Sequence, residues 1–140
     1  MKAVSQPASN RRFAQTIVVT VNDIDVLGHV NNVAYARIIE DIARAHATFV
    51  GMDIDTLRNS GRLPVMLEHH LKYRRAGFLG DVLTVSTEIL MMGGLRAKRH
   101  NVISRGDEVL VDSQTDWVWV DVVSGRPKAI PAAALEAFGF

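Results

Sequence analysis

Thirteen consecutive positions, 23–35, read Asp-Ile-Asp-Val-Leu-Gly-His-Val-Asn-Asn-Val-Ala-Tyr. They gather two carboxylates, a turn glycine, a histidine and two asparagines. Gly28 suits a tight turn, because glycine enters positive φ without a Cβ penalty. Asn31 and Asn32 are strong helix N-cap types. A helix opening leaves backbone N–H groups unpaired and carries partial positive charge. Such an end favours an anion, including the oxyanion that forms during acyl transfer. Asp25 stands seven residues before Asn32, near enough for a loop to fold it back toward that end. A carboxylate facing free amides is the minimum equipment for attack on a carbonyl. The same residues also fit a structural account, in which Asp23 and Asp25 form Asx turns and one asparagine caps a helix.

Two elements must position this loop. Before it, residues 16–21 are β-branched throughout and read as a strand. After it, residues 32–50 carry a helical pattern: Tyr35, Ile38, Ile39, Ile42 and Phe49 share one face at 3.6 periodicity. Arg37, Asp41, Arg44 and Thr48 lie roughly opposite. Ala36, Ala43 and Ala47 form a third, small-residue flank, with Glu40 set among them. His46 falls near the centre of the apolar stripe and reads as a hydrogen-bonded core or helix-end residue. Gly51 is placed to end the helix. A polar connection over 53–62 follows, with a short helical turn at 54–59. Four β-like runs come next, at 64–73, 81–92, 95–104 and 108–122. Gly93-Gly94 and Arg105-Gly106-Asp107 are hairpin signals between them. The last run is apolar on both faces, as in a strand covered on both sides, partly by the helix and partly by another subunit. Residues 131–138 read as a short terminal helix or tail. Residues 1–13 read as a flexible tail and 14–140 as one domain.

Bulk properties fit that organisation. A chain of 140 residues holds one domain with a real core. It is 48% hydrophobic and 22% charged, with a formal net charge of +1, which gives no reason to expect bulk affinity for nucleic acid or membrane. There is no cysteine, which excludes thiolate chemistry and disulfides and fits a reducing compartment. No apolar run reads as a signal peptide or a membrane span. A cytoplasmic protein is the expectation.

The pattern Asp25-x-x-Gly28-His29-Val30-Asn31-Asn32-x-x-Tyr35 resembles the signature of hot-dog-fold acyl-CoA thioesterases of the 4-hydroxybenzoyl-CoA thioesterase type. Its His29-Val30-Asn31-Asn32 core is similar to the corresponding loop of plant acyl-ACP thioesterases. Weaker support comes from His70-Leu71-Lys72-Tyr73-Arg74-Arg75, from Gly80-Asp81-Val82-Leu83 and from the close at 127–131. The resemblance covers residues 14–132 and implies an α+β hot-dog fold, a five-stranded antiparallel sheet wrapped around one long central helix. It also implies association as a homodimer or homotetramer, with sites at the subunit interface. An open sheet edge independently favours association.

The resemblance implies hydrolysis of an acyl-CoA or acyl-ACP thioester. Asp25 would attack the carbonyl or deprotonate a water, and the amides opening the helix near Asn32 would hold the oxyanion. His29 matches a histidine of the acyl-ACP enzymes' catalytic set, but the asparagine they carry two residues earlier is Leu27 here. His29 therefore orients Asp25, polarises the carbonyl or only holds the loop. Asn31 and Tyr35 read as loop and core residues bordering the substrate. Glu40 lines the acyl pocket or pairs with Arg44 one turn on. Tyr73 belongs to the same rim. Coenzyme A phosphates call for cations, and Arg74, Arg75, Arg96, Lys98 and Arg99 are the clustered candidates, with Arg99 on the opposite strand face from Arg96 and Lys98. Surface strands also carry such charges for solubility. No cofactor is expected, since coenzyme A is part of the substrate. His69-His70 invites a metal reading with His29, but adjacent strand residues point to opposite faces, so no metal site is expected. Two other functions remain in view. A hot-dog hydratase or dehydratase would use His29 with Glu40, although the Gly-His-x-x-x-Pro-Gly pattern of the dehydratases is missing. A non-catalytic acyl-CoA-binding oligomer would keep the fold alone.

Overall fold

The computed structural model describes residues 2–3 and 9–140. In chain order they form β1 (Lys2–Ala3), β2 (Arg12–Val18), a 3-10 turn (Val21–Asp23), α1 (Asn32–Phe49), α2 (Ile54–Ser60), β3 (Arg62–Tyr73), β4 (Val82–Gly93), β5 (Arg96–Arg105), β6 (Glu108–Asp121) and α3 (Ala132–Ala137). The strands make one antiparallel sheet in the order β1-β2-β4-β5-β6-β3. The five expected strands are all present, and the two-residue β1 adds a sixth at one edge. The chain leaves β2, runs through α1 and α2, and enters the sheet again at the far edge as β3. The long helix therefore crosses one sheet face.

The first strand begins earlier than its β-branched run. It takes in Arg12 and Phe13, because Phe13 is buried against His46 and Phe49. Arg12 and Phe13, expected in the tail over 1–13, thus belong to the sheet, as do Lys2 and Ala3, while Met1 and residues 4–8 lie outside the described residues. The strand also stops earlier, at Val18. Thr20 and Asp23 form a reciprocal capping box that turns residues 21–23 into 3-10 geometry instead.

Helix α1 buries Tyr35, Ile38, Ile39, Ile42 and His46, the stripe its periodicity predicts. Phe49 departs from that stripe: it lies in the last turn and is 57% exposed. Packing divides into two apolar clusters. One holds Val30, Tyr35, Ile42, Leu83, Ile103 and Val111; the other holds Leu57, Ile89, Met92, Ala97, Trp119 and Phe138. Between them a buried polar belt crosses the sheet. Thr87 donates to Asn101 Oδ1 at 2.8 Å, and Asn101 Nδ2 reaches Ser113 Oγ at 3.3 Å and Thr115 Oγ1 at 3.2 Å. Neighbouring register places these residues side by side on β4, β5 and β6. Mutual bonding offsets the desolvation cost of burying them.

His46 closes one end of this belt. Its ring is fully buried, with Nε2 2.7 Å from the Asn10 carbonyl and Nδ1 2.9 Å from Arg99 Nη1. Nδ1 must accept from the guanidinium, so Nε2 carries the hydrogen and the ring is neutral. Burial, and then the charge of Arg99, push its pKa down from 6.5 to about 4. An unfolded chain takes up this proton as pH falls through about 6.5, while the folded ring resists until about 4. Stability present above that window is therefore lost across it, by roughly 3 kcal/mol in full. Thermal melts followed by circular dichroism between pH 7 and pH 4 should show a steeper fall for the wild type than for His46→Gln. Parallel profiles would remove His46 as the cause.

Candidate active site

The loop after the 3-10 turn folds tightly on itself. Asp25 N donates to the His29 carbonyl at 2.9 Å, and Gly28 N to the Asp25 carbonyl at 3.1 Å. Gly28 has φ of 83°, the left-handed geometry its type predicts. The Asp25 side chain is half-buried. Its Oδ1 accepts from Leu27 N at 2.9 Å and from His29 N at 3.4 Å. That oxygen makes the Asx turn of the structural account. Oδ2 makes no hydrogen bond among the described residues and is left open for chemistry.

Asp23 does different work. It is buried, and its Oδ2 accepts from the Thr20 amide and hydroxyl at 3.1 and 3.2 Å. Oδ1 lies 2.5 Å from Arg37 Nη2, and the Asp23 carbonyl accepts from Asn31 N at 2.7 Å. It ties the strand end, the loop and the helix together. The Thr-x-x-Asp spacing was the readable signal for this role.

Asn31 is the N-cap of α1, its Oδ1 accepting from Val33 N at 2.9 Å. Its carbonyl takes the Ala34 amide at 2.9 Å. Asn32 is the first helical residue and is exposed. Its amide has no hydrogen-bond partner among the described residues. One N–H thus remains free at the positive end of an 18-residue helix. His29 is exposed, and its ring meets Phe78 edge-on at 5.5 Å rather than bonding to the Asp25 carboxylate.

Gly77 staples the loop to the helix. Its carbonyl accepts from Val30 N at 2.9 Å, and its amide donates to Tyr35 Oη at 3.0 Å. Tyr35 is buried, and that burial raises the pKa of its hydroxyl. A Cβ on Gly77 would stand 2.8 Å from Tyr35 Oη and 3.0 Å from Val30 Cγ2, so something must shift. Nothing in the periodicity around position 77 marks this approach. Gly77→Ala is expected to lower unfolding free energy by about 1–3 kcal/mol in urea titration. A stability equal to wild type would show that the contact relaxes freely.

The remaining candidates fall into separate places. Tyr73 is half-exposed with its ring 5.9 Å from that of Tyr35. Arg74 and Arg75 leave β3 at the end that carries Gly77, and they pair with Asp112 at 3.6 Å and Glu108 at 3.2 Å. Arg96 and Lys98 sit beside Val118 and Asp116. That is the other end of β6, roughly 20 Å away by strand rise. Lys98 lies 3.9 Å from Asp116, whereas Arg96 has no ion-pair partner among the described residues. The fold does not bring these four cations together within one chain. Arg99 leaves the rim altogether: it is buried in the core. Glu40 accepts from Arg44 at 2.8 Å with its side chain 47% exposed, the pairing one turn on, and it also borders a cavity that does not take in the Asp25 loop. His69 reaches inward to Ser113 Oγ at 2.9 Å, while His70 lies outward beside Glu68.

Two concavities stand out. An open depression of about 430 Å³ lies against Thr20, Asp23, Arg37 and Asp41. A cavity of about 380 Å³ lies between α1, α2 and the sheet. Neither is lined by Asp25, His29 or Asn32, which face outward from the single chain with Val26, Leu27, Val33 and Phe78 exposed around them.

A curled antiparallel sheet holding one long helix, with a polar loop at the helix N-terminus, defines the hot-dog class. The model of the thioesterase-like superfamily matches residues 19–138, and the chain belongs to that superfamily. Solved structures agree on the fold. A 1,4-dihydroxy-2-naphthoyl-CoA thioesterase from Synechocystis superposes with a TM-score of 0.83 at 16% identity, covering 91% of this chain and 95% of that one. A Staphylococcus aureus protein solved in complex with CoA superposes with a TM-score of 0.85 at 22% identity, covering 95% and 85%. Among curated proteins, a 3-hydroxyacyl-acyl-carrier-protein dehydratase of Chlamydia abortus is 27% identical over 124 residues, spanning 86% of this chain and 80% of that protein.

Proposed function

We propose that the chain is a thioesterase that hydrolyses an acyl-CoA or acyl-ACP thioester to a carboxylate and a free thiol. The observation that carries this reading is the unpaired Asn32 amide at the opening of α1, set in the same loop-to-helix junction as the open Oδ2 of Asp25. The thioester carbonyl oxygen would point to the amide. Asp25 would attack the carbonyl carbon, or would take a proton from the water that does. Direct attack would expel the thiolate, protonated by water, and leave an acyl–aspartyl anhydride that a second water hydrolyses to the carboxylate; in the general-base route the proton Asp25 takes from water returns to the departing thiolate. Nothing in this cycle requires a metal or a resident cofactor. The S. aureus complex with CoA supports a coenzyme A substrate. Arg74 and Arg75, at the loop end of β3, are the cations best placed for its phosphates.

Assembly belongs to the same proposal. β3 is a twelve-residue edge strand, paired on one side only among the described residues, with Val65, Leu67 and Tyr73 about half exposed. Such an edge favours pairing with a second copy, giving a homodimer or a homotetramer. A partner would also cover the apolar rim around Asp25. We place the enzyme in the cytoplasm on its composition. Among the described residues no helix is long and apolar enough to cross a membrane.

The dehydratase relative gives a second reading some weight. That chemistry would pair His29 with Glu40, yet His29 lies in the loop before α1 and Glu40 lies eight residues beyond Asn32, roughly 12 Å along the helix axis. Within one chain they are not a pair. The deciding experiment is a thiol-release screen over short, long and aromatic acyl-CoAs. Release with at least one of them is expected. Calorimetric binding without thiol release would make the protein a carrier instead, and hydration of an enoyl thioester would favour the second reading.

A further inference from the structure

We propose that the cavity between α1, α2 and the sheet binds an apolar molecule that carries a carboxylate, received by the guanidinium of Arg99. The cavity holds about 380 Å³, within the range of small-molecule sites. Leu57, Met66, Met92 and Trp117 give it apolar walls, and the small side chains of Ala43 and Ala47 on α1 leave it room. Arg99 also lines it while only 7% exposed. Nη1 is spent on His46 Nδ1 at 2.9 Å and Thr87 Oγ1 at 3.1 Å, both neutral acceptors. Nε and Nη2 have no hydrogen-bond partner among the described residues. These two N–H groups form the side-on fork that matches the two oxygens of a carboxylate.

Among the described residues the charge has no counterion of its own. Glu40 and Asp53 border the same cavity, but Glu40 is held by Arg44 at 2.8 Å and Asp53 caps α2 through the Thr56 amide at 3.0 Å. Burial lowers the Arg99 pKa only to about 10, so the guanidinium stays charged at neutral pH. A buried cation with a free fork beside an apolar space is costly unless an anion completes it. A large, heavily hydrated anion does not suit these walls; a carboxylate on an alkyl body does. Two sources share that chemistry: a free fatty acid, and an acyl thioester whose far end carries a second carboxylate. The site lies across the polar belt from the Asp25 loop, and it is tested by equilibrium binding whether or not a thioester is cleaved.

Calorimetry with decanoate and decan-1-ol on the intact chain reads the proposal. Wild type is expected to bind one decanoate per chain, roughly 10- to 100-fold tighter than the alcohol. Arg99→Met should erase the preference. Ala47→Leu, which keeps Arg99, should weaken both ligands by filling the cavity. An acid and alcohol bound equally by wild type, no binding of decanoate, or a preference that survives Arg99→Met would overturn it. Should Arg99→Met fail to fold, the acid–alcohol ratio and Ala47→Leu decide alone. The CoA thioester of sebacic acid against decanoyl-CoA separates the sources. A preference for the former that Arg99→Met removes assigns the distal carboxylate; equal binding, with decanoate still preferred to the alcohol, assigns the free acid.

Discussion

Asp25→Asn is expected to lower kcat for thioester hydrolysis by roughly 100- to 10,000-fold, the span associated with loss of a positioned acid–base group. The substitution is informative because of how Asp25 is held. Its Oδ1 accepts the Leu27 and His29 amides, and an asparagine retains an oxygen that can accept both. The turn should survive while the negative charge is lost. Melting temperature and KM should stay near wild type, and kcat alone should fall. Asp25→Ala loses the turn acceptor as well, so it should show the same rate defect together with a lower melting temperature. Unchanged kcat in Asp25→Asn would remove this carboxylate from the mechanism.

Asn32→Pro is the second large effect, and it isolates a single hydrogen. Asn32 is the first residue of α1, where proline's fixed φ is already helical and its missing N–H costs no intrahelical bond. Asn31 before it has φ −62° and ψ 138°, the extended geometry that a following proline requires. The helix should therefore form normally. What disappears is the free amide, and kcat should drop roughly 100- to 1,000-fold if that amide holds the oxyanion. Asn32→Ala keeps the amide and should retain most activity, because the Asn32 side chain makes no hydrogen bond among the described residues. Equal activity in the two variants would move the oxyanion site elsewhere.

Much of this architecture can be read from local pattern. The apolar spacing from Tyr35 to Ile42 marks α1. Gly93-Gly94 and Gly106-Asp107 mark hairpins, and both form. The asparagine pair declares a cap, which Asn31 supplies, and Gly28 a left-handed turn. The strand limits at β2 were less legible, since Phe13 and the Thr20–Asp23 box outweigh β-propensity there. The polar belt is hidden for a related reason. Thr87, Asn101, Ser113 and Thr115 occupy inward positions that alternation would assign to apolar side chains, and their partners lie 12 to 14 residues away on other strands. Arg99 sits in a basic cluster with Arg96 and Lys98, so its alternation onto the opposite face was visible but its burial was not. That neither concavity takes in Asp25, His29 or Asn32 was hidden too, because cavities are walled by residues distant in sequence, which no local pattern contains.

The belt between the two apolar clusters has a consequence for how such a molecule can change over time. His46 bridges the banks, stacking on Phe13 of one cluster and meeting Phe138 of the other edge-on, but side chains of the two clusters that lie far from it should have substitution energies that add independently. Met92 or Leu57 could be exchanged to resize the far compartment without disturbing the Asp25 loop. A seam of hydroxyls and one amide thus acts as a firebreak: side chains are free to drift on one side of it while the loop on the other stands still.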